Sequence, residues 1–153
     1  MTNEFYQTFV NATQDVLKLM LDINSVANQD GDDTHSTDWD VGVGIAIGVS
    51  GDLGGEIVYC FPSKTALEMV RTMSGMDFDE VDYFVTSAIG EIANIISGKA
   101  LVLLSQHNVV CDILPPKVIA LDNAVGFSAG KDKASTCIIT DIGAVGITVN
   151  LKK

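Results

Sequence analysis

The segment Thr86-Ser87-Ala88-Ile89-Gly90-Glu91-Ile92-Ala93-Asn94-Ile95-Ile96-Ser97-Gly98 sets a carboxylate, Glu91, and an amide, Asn94, three residues apart. At about 100° per residue they share one side of a helix with Ser87, Gly90, Ser97, Gly98 and Ser105. Leu101 intrudes on that side, and Val102 lies toward its edge. Val85, Ala88, Ile89, Ile92, Ala93, Ile96, Ala100 and Leu103 fall opposite and are expected to bury against a sheet. Lys99 sits near the apolar side, where its long stem can snorkel. An amide accepts a hydrogen bond through its oxygen and donates through its NH2. Glycine inside a helix costs roughly 1 kcal/mol against alanine, so stability alone does not account for Gly90 and Gly98. Small residues beside two polar ones leave room for the backbone of another molecule. Such a surface suits docking. A solvated helix face, with glycines that let two long helices pack closely, gives the same pattern, and the spacing leaves both readings open.

Other chemistries find little support. The two histidines, His35 and His107, have no metal-ligand spacing and read as surface or loop residues. No Gly-x-Ser-x-Gly elbow and no Gly-x-x-x-x-Gly-Lys-Ser/Thr phosphate loop occurs. The acidic run Asp30-Gly31-Asp32-Asp33 could suggest calcium, but an EF-hand register from Asn28 puts Asp33 where glycine is required and Trp39 where glutamate is required. A solvated loop is the expectation, and no metal site. Cys60, Cys111 and Cys137 are odd in number, widely spaced and set in apolar runs, which predicts reduced core thiols and a cytoplasmic location.

Composition narrows the partners. The chain has 153 residues, a length that fits one domain over 1–153, with 47% apolar and 19% charged residues, so a packed core is expected. Net charge is −11, and the nine basic residues are mostly scattered singly. Nucleic acid and anionic membrane surfaces both require clustered cations, so neither is an expected partner. The opening MTNEFYQTF lacks the pattern of a signal peptide. The apolar stretches around Ile92–Leu104 and Val41–Val49 read as too short to span a bilayer.

The elements that must position Glu91 and Asn94 follow from periodicity. Phe5, Phe9, Ala12, Val16, Leu17, Leu19, Met20 and Ile23 predict a helix over 4–23, followed by a polar, acidic loop over 24–40. Strands are expected over Val41–Val49 and Glu56–Phe61, joined by a Gly- and Asp-rich turn. A short helix over 63–74 should stop near Gly75. A long helix should run from Val81 to Gln106. Short strands near Val109–Ile113 and Val118–Leu121 flank Pro115-Pro116, and a loop is expected over Gly126–Lys133. Strands Ser135–Thr140 and Ala144–Leu151 close the chain. Short turns between consecutive strands favour antiparallel pairing. The expectation is a two-layer α+β domain, with both long helices on one face of a mainly antiparallel sheet.

Gly90-Glu91-Ile92-Ala93-Asn94-Ile95-Ile96-Ser97-Gly98 resembles the Glu-x-x-Asn-x-x-x-Gly signature of the CheC, CheX and FliY phosphatase family. Phe5 through Leu17 is similar to the opening helix of the CheX type, and Gly48-Val49-Ser50-Gly51-Asp52-Leu53-Gly54-Gly55 to its first hairpin. Thr65-Ala66-Leu67 and Met73-Ser74-Gly75 extend the likeness over nearly the whole chain. CheC-type members carry two copies of the motif. Here there is one, and the opening helix holds Asn11 without a Glu-x-x-Asn, so the CheX type is the better match.

The resemblance implies a CheC-like fold and removal of the phosphoryl group from the aspartate of a CheY-type response regulator, ending a chemotaxis signal. It implies that Asn94 orients water for in-line attack and that Glu91 pairs with the regulator's active-site lysine, with Ser87, Gly90, Ser97 and Gly98 as contact surface. It also implies that Mg2+ is supplied by the regulator, so the chain has no cofactor of its own. A homodimer joined through the sheet is implied too, and the apolar terminal strands would permit it. The alternative is a non-catalytic dimeric adaptor that binds a regulator or another signalling partner.

Overall fold

The computed structural model describes residues 2–28, 42–120 and 134–152. Helix α1 covers Thr2–Leu21. Its buried residues Phe9, Val10, Ala12, Thr13, Val16, Leu17 and Leu21 recur at three- and four-residue intervals, which makes one stripe. The hydroxyl of Thr13 donates to the Phe9 carbonyl at 2.8 Å, so its burial leaves no polar atom orphaned. The expected stripe was too broad at its end, because Leu19 and Met20 face outward. Asp22 takes a positive φ of 56°, and the Ile23 N–H reaches back to the Leu17 carbonyl, which closes the helix just past those two positions.

Strand β1, Ser25–Asn28, falls within the stretch expected to be loop. It is four residues long and finds its ladder on a strand more than a hundred residues later, so periodicity could not announce it. Strands β2 (Gly42–Gly51) and β3 (Gly54–Pro62) form the expected hairpin. Gly51 has φ +117°, and a Cβ there would stand 2.7 Å from the Val110 carbonyl oxygen, so this corner requires glycine. Helix α2, Ser63–Ser74, ends where Gly75 adopts the left-handed conformation and returns its N–H to the Arg71 carbonyl.

Helix α3, Tyr83–Ser105, carries the Glu91/Asn94 pair. It starts at Asp82, whose carboxylate accepts from the Val85 N–H at 2.9 Å. Strands β4 (Cys111–Ile113), β5 (Lys117–Ala120), β6 (Ala134–Thr140) and β7 (Gly143–Lys152) complete the chain. Much of the stretch expected to be loop over 24–40, and the loop expected over Gly126–Lys133, lie outside the described residues.

The seven strands among the described residues form one antiparallel sheet in the order β1-β6-β7-β3-β2-β4, with β5 also paired to β2. Alternation sorts its faces. Val43, Ile45, Ile47 and Val49 of β2, Ile57, Tyr59 and Phe61 of β3, and Val145, Ile147, Val149 and Leu151 of β7 join the buried residues of the three helices in a single core. Both long helices therefore lie on one face, as expected. The opposite face carries a smaller cluster of Val58, Cys60, Cys137 and Ala144.

The terminal strands cannot serve as free edges. Strand β6 lies between β1 and β7, and β7 between β6 and β3. The outer positions belong to β1 at one end and to β4 and β5 at the other.

Candidate functional site

Helix α3 is packed on two sides, against the sheet and against α1, so little of its circumference remains open. Val85, Ile89, Gly90, Ile92, Ala93, Ile96, Ser97, Ala100 and Leu104 are buried. The expected burial of Ala88 and Leu103 is only partial, and Leu104 takes the inward place. Two packed sides make the apolar sector wider than half the helix, which moves its edges from where a single sheet contact would set them.

Glu91 is exposed and Asn94 half-buried, about 4.5 Å apart along the axis at 1.5 Å per residue. Neither makes a hydrogen bond or ion pair among the described residues. Both side chains thus reach the surface with their polar atoms uncommitted to any described residue. Ser87 is exposed beside them, and Gly98 is half-buried with nothing within 4 Å of the position a Cβ would take. These four share an accessible stripe.

The other two residues expected on the contact surface lie elsewhere. Ser97 is fully buried, and its hydroxyl is 2.8 Å from the phenolic oxygen of Tyr59 at the centre of β3. The correction follows from geometry: a residue three after Asn94 is turned about 60° toward the core. Burial pushes the Tyr59 phenol well above its ordinary range, and the Ser97 hydrogen bond offsets a part of that. Gly90 is buried as well. A Cβ on it would meet Ile45 Cδ1 at 3.8 Å and Pro116 Cβ and Cγ at 4.0 Å. Gly90 therefore lies where α3 packs against Ile45 and the Pro115-Pro116 turn, on the Asn94 side of the helix.

Tyr59 and Pro116 are site-supporting residues that the sequence did not single out, since neither is near Glu91 in the chain. Asp82 had a legible signal, an aspartate directly before an apolar periodic run. Among the described residues no three His, Cys, Asp or Glu side chains gather as a metal would require. His107 is exposed, and His35 lies outside the described residues. The three cysteines are free, Cys60 buried and Cys111 and Cys137 half-buried. Burial raises the Cys60 thiol to a pKa of about 12.

The apolar length of α3 needs a correction of its own. At 23 residues it is long and apolar enough to cross a membrane by length and composition, because the helix extends beyond the Ile92–Leu104 run at its N-terminal end. Its buried residues are nonetheless spent on the sheet and α1.

Fold and site together define an α+β domain in which one core-packed helix carries a carboxylate and an amide with no partner among the described residues. The model of the family described as chemotaxis phosphatase CheX matches residues 43–141, and the chain belongs to that family. It is 39% identical over 75 residues to the CheY-P phosphatase CheX of Thermotoga maritima, an alignment that spans 48% of each protein. The chain thus covers about half the length of that relative. Solved structures share the fold over nearly the whole chain. The chemotaxis protein CheX of Vibrio vulnificus matches with a TM-score of 0.79 at 21% identity, covering 97% of both chains. The CheX of Borrelia burgdorferi, solved as a complex with CheY, BeF3 and Mg2+, matches with a TM-score of 0.75 at 21% identity over 97% of this chain and 98% of that one. A CheC-like superfamily protein from Shewanella matches over the full length of both chains with a TM-score of 0.74 at 21% identity. The CheC-like fold expected from the sequence is the fold observed.

Proposed function

We propose that this chain hydrolyses the aspartyl phosphate of a CheY-type response regulator and so ends a chemotaxis signal. The observation that carries the proposal is the outward placement of Glu91 and Asn94, without partners among the described residues, on the central helix of a chain that belongs to the chemotaxis phosphatase CheX family. A relative of the same fold, the Borrelia burgdorferi CheX, forms a complex with CheY in the presence of BeF3 and Mg2+, which supports a regulator as partner.

The reaction is a transfer to water. The water oxygen bonds to phosphorus as the bond from phosphorus to the aspartyl oxygen breaks, the aspartate leaves as carboxylate, and inorganic phosphate departs with the water's protons. Such a transfer asks the protein mainly for positioning. The Asn94 amide oxygen accepts from the attacking water, while its NH2 donates to a phosphoryl oxygen or to the attacking oxygen. Glu91 pairs with the regulator's active-site lysine and fixes the register of the two proteins. A carboxylate beside a phosphoryl group of like charge is unsuited to be the nucleophile. The Mg2+ of the reaction is the regulator's.

The test is phosphate release from a regulator charged with acetyl phosphate and Mg2+, with and without this protein. Faster release is expected, lost in Asn94→Ala and in Glu91→Ala. Binding of the regulator with unchanged turnover would replace the phosphatase by an adaptor. A homodimer joined through the sheet would use the outer strand β1 or the β4/β5 end, since β6 and β7 are internal. Three free thiols fit a reducing compartment, and the cytoplasm is the one proposed.

A further inference from the structure

The open stripe of α3 does not end with Glu91 and Asn94. Seven residues before Glu91 stands Phe84, and eleven before Asn94 stands Tyr83. At 3.6 residues per turn these separations bring each pair back to the same line within about 20°. Eleven residues after Glu91, on that same line, stands Val102. Tyr83 is 85% exposed, Phe84 51% and Val102 56%. The polar pair is thus bracketed along one helix by exposed apolar side chains.

The N-terminal bracket is built up further. The ring of Phe78 stacks on Phe84, with centroids 5.1 Å apart and planes 16° from parallel. Phe78 itself packs against the core, so the stack holds Phe84 in place at the surface. Met76, two residues away on the α2–α3 connection, is 55% exposed. That connection is fastened by the Gly75 cap and by the Met76 N–H, which donates to the Ser74 hydroxyl at 3.2 Å. Internal packing explains Phe78. It does not explain Tyr83 or Val102, which spend little surface on the fold.

We propose that the apolar side chains of Tyr83, Phe84 and Met76 at one end of the α3 stripe, and Val102 at the other, are the affinity contacts for the receiver domain whose phosphoaspartate meets Glu91 and Asn94. The inference rests on the proposed phosphatase function and adds the surface that holds the substrate. Three considerations carry it. A stable interface covers about 800 Å² on each partner, a disc with a radius of about 16 Å. Centred on the Glu91/Asn94 pair, it takes in Phe84, about 10 Å along the axis from Glu91, and Val102, about 12 Å from Asn94. Aromatic and methionine side chains are also what such interfaces concentrate, and they carry most of the binding. Finally, the net charge of −11 supplies no long-range attraction to a phosphorylated surface, so short-range apolar contact must hold the complex.

The experiment separates binding from turnover. Phosphate release is measured across regulator concentrations for the full chain, Tyr83→Ala, Val102→Ala, their combination, and Asn94→Ala, with thermal melts as the folding control. The combined variant should raise KM about tenfold or more while kcat stays within about twofold. Equilibrium binding of the regulator loaded with beryllium fluoride should weaken by a similar factor and should not weaken as ionic strength rises. If Asn94→Ala abolishes turnover while the combined variant keeps both KM and affinity, the docking surface is wrong and the phosphatase stands. If Asn94→Ala keeps full turnover, the phosphatase falls, and the binding arm still decides the surface. Unchanged affinity in the combined variant refutes it in either case.

Discussion

Removing the Ser97 hydroxyl tests where that side chain belongs. In Ser97→Ala the phenol of Tyr59 stays buried and loses its 2.8 Å partner. A buried polar group left unsatisfied costs about 1–3 kcal/mol, so a loss near 2 kcal/mol is expected. In a chain of this length that lowers the melting temperature by about 4–8 °C. Tyr59→Phe should cost less, about 1 kcal/mol, because a serine hydroxyl within a helix can turn to a carbonyl four residues back. The double variant leaves no orphan, so its cost should fall short of the sum of the singles by about 1 kcal/mol. Urea titration of the three variants, with phosphate release measured in parallel, gives both readouts. KM for the regulator should stay unchanged in Ser97→Ala. Strict additivity would show that the two hydroxyls do not depend on each other, and a raised KM at unchanged stability would put Ser97 on the partner surface.

Gly98→Ala adds a methyl where nothing lies within 4 Å and replaces a residue of poor helix propensity, so it should stabilise by about 1 kcal/mol in urea titration. A fall in activity alongside that gain would show that the regulator's backbone approaches this point. Gly90→Ala places its Cβ at ordinary contact distance from Ile45 and Pro116 and should leave phosphate release intact, whereas Gly90→Leu must push those neighbours away from α3 and should slow it at least tenfold. Equal activity in both would show that the packing at Gly90 plays no part in positioning Asn94. Cys60, raised from 9.0 to about 12 by burial, ionises in the unfolded chain before the folded one. Its contribution is therefore complete below about pH 9 and is lost as pH rises toward 12, by up to about 1.4 kcal/mol per pH unit. Urea midpoints measured across that range should fall less steeply in Cys60→Ala, and an unchanged slope would remove Cys60 as a cause.

The sequence carried the fold where one element buries one face. Helix α2 and the β2–β3 hairpin lie within a residue or two of their expected bounds, because Gly51 and Gly75 mark corners that only particular backbone conformations allow. Strand β1 was illegible, being four residues whose pairing depends on a distant strand. The candidate site divides in the same way. Glu91 and Asn94 could be placed together from spacing alone, since three residues of helix hold them on one side whatever surrounds them. Ser97 and Gly90 could not, since Ser97 is covered by Tyr59 of β3 and Gly90 by Ile45 of β2 and Pro116, all distant from the motif in the chain. Motif likeness supplied the chemistry, and packing decided which motif residues reach solvent.

That division bears on how the helix works. An amide that acts by positioning water must be held at a fixed height and rotation, and α3 is held along its whole length by buried residues recurring from Val85 to Leu104 and by the cap at Asp82. No single contact sets its rotation, so losing the Tyr59–Ser97 bond lowers stability without swinging Glu91 and Asn94 off their line. The open stripe contributes little to the core, so changes there alter docking and turnover at nearly constant stability. Buried and open positions of one helix should then perturb separate quantities and add independently when combined, provided the paired residues share no contact.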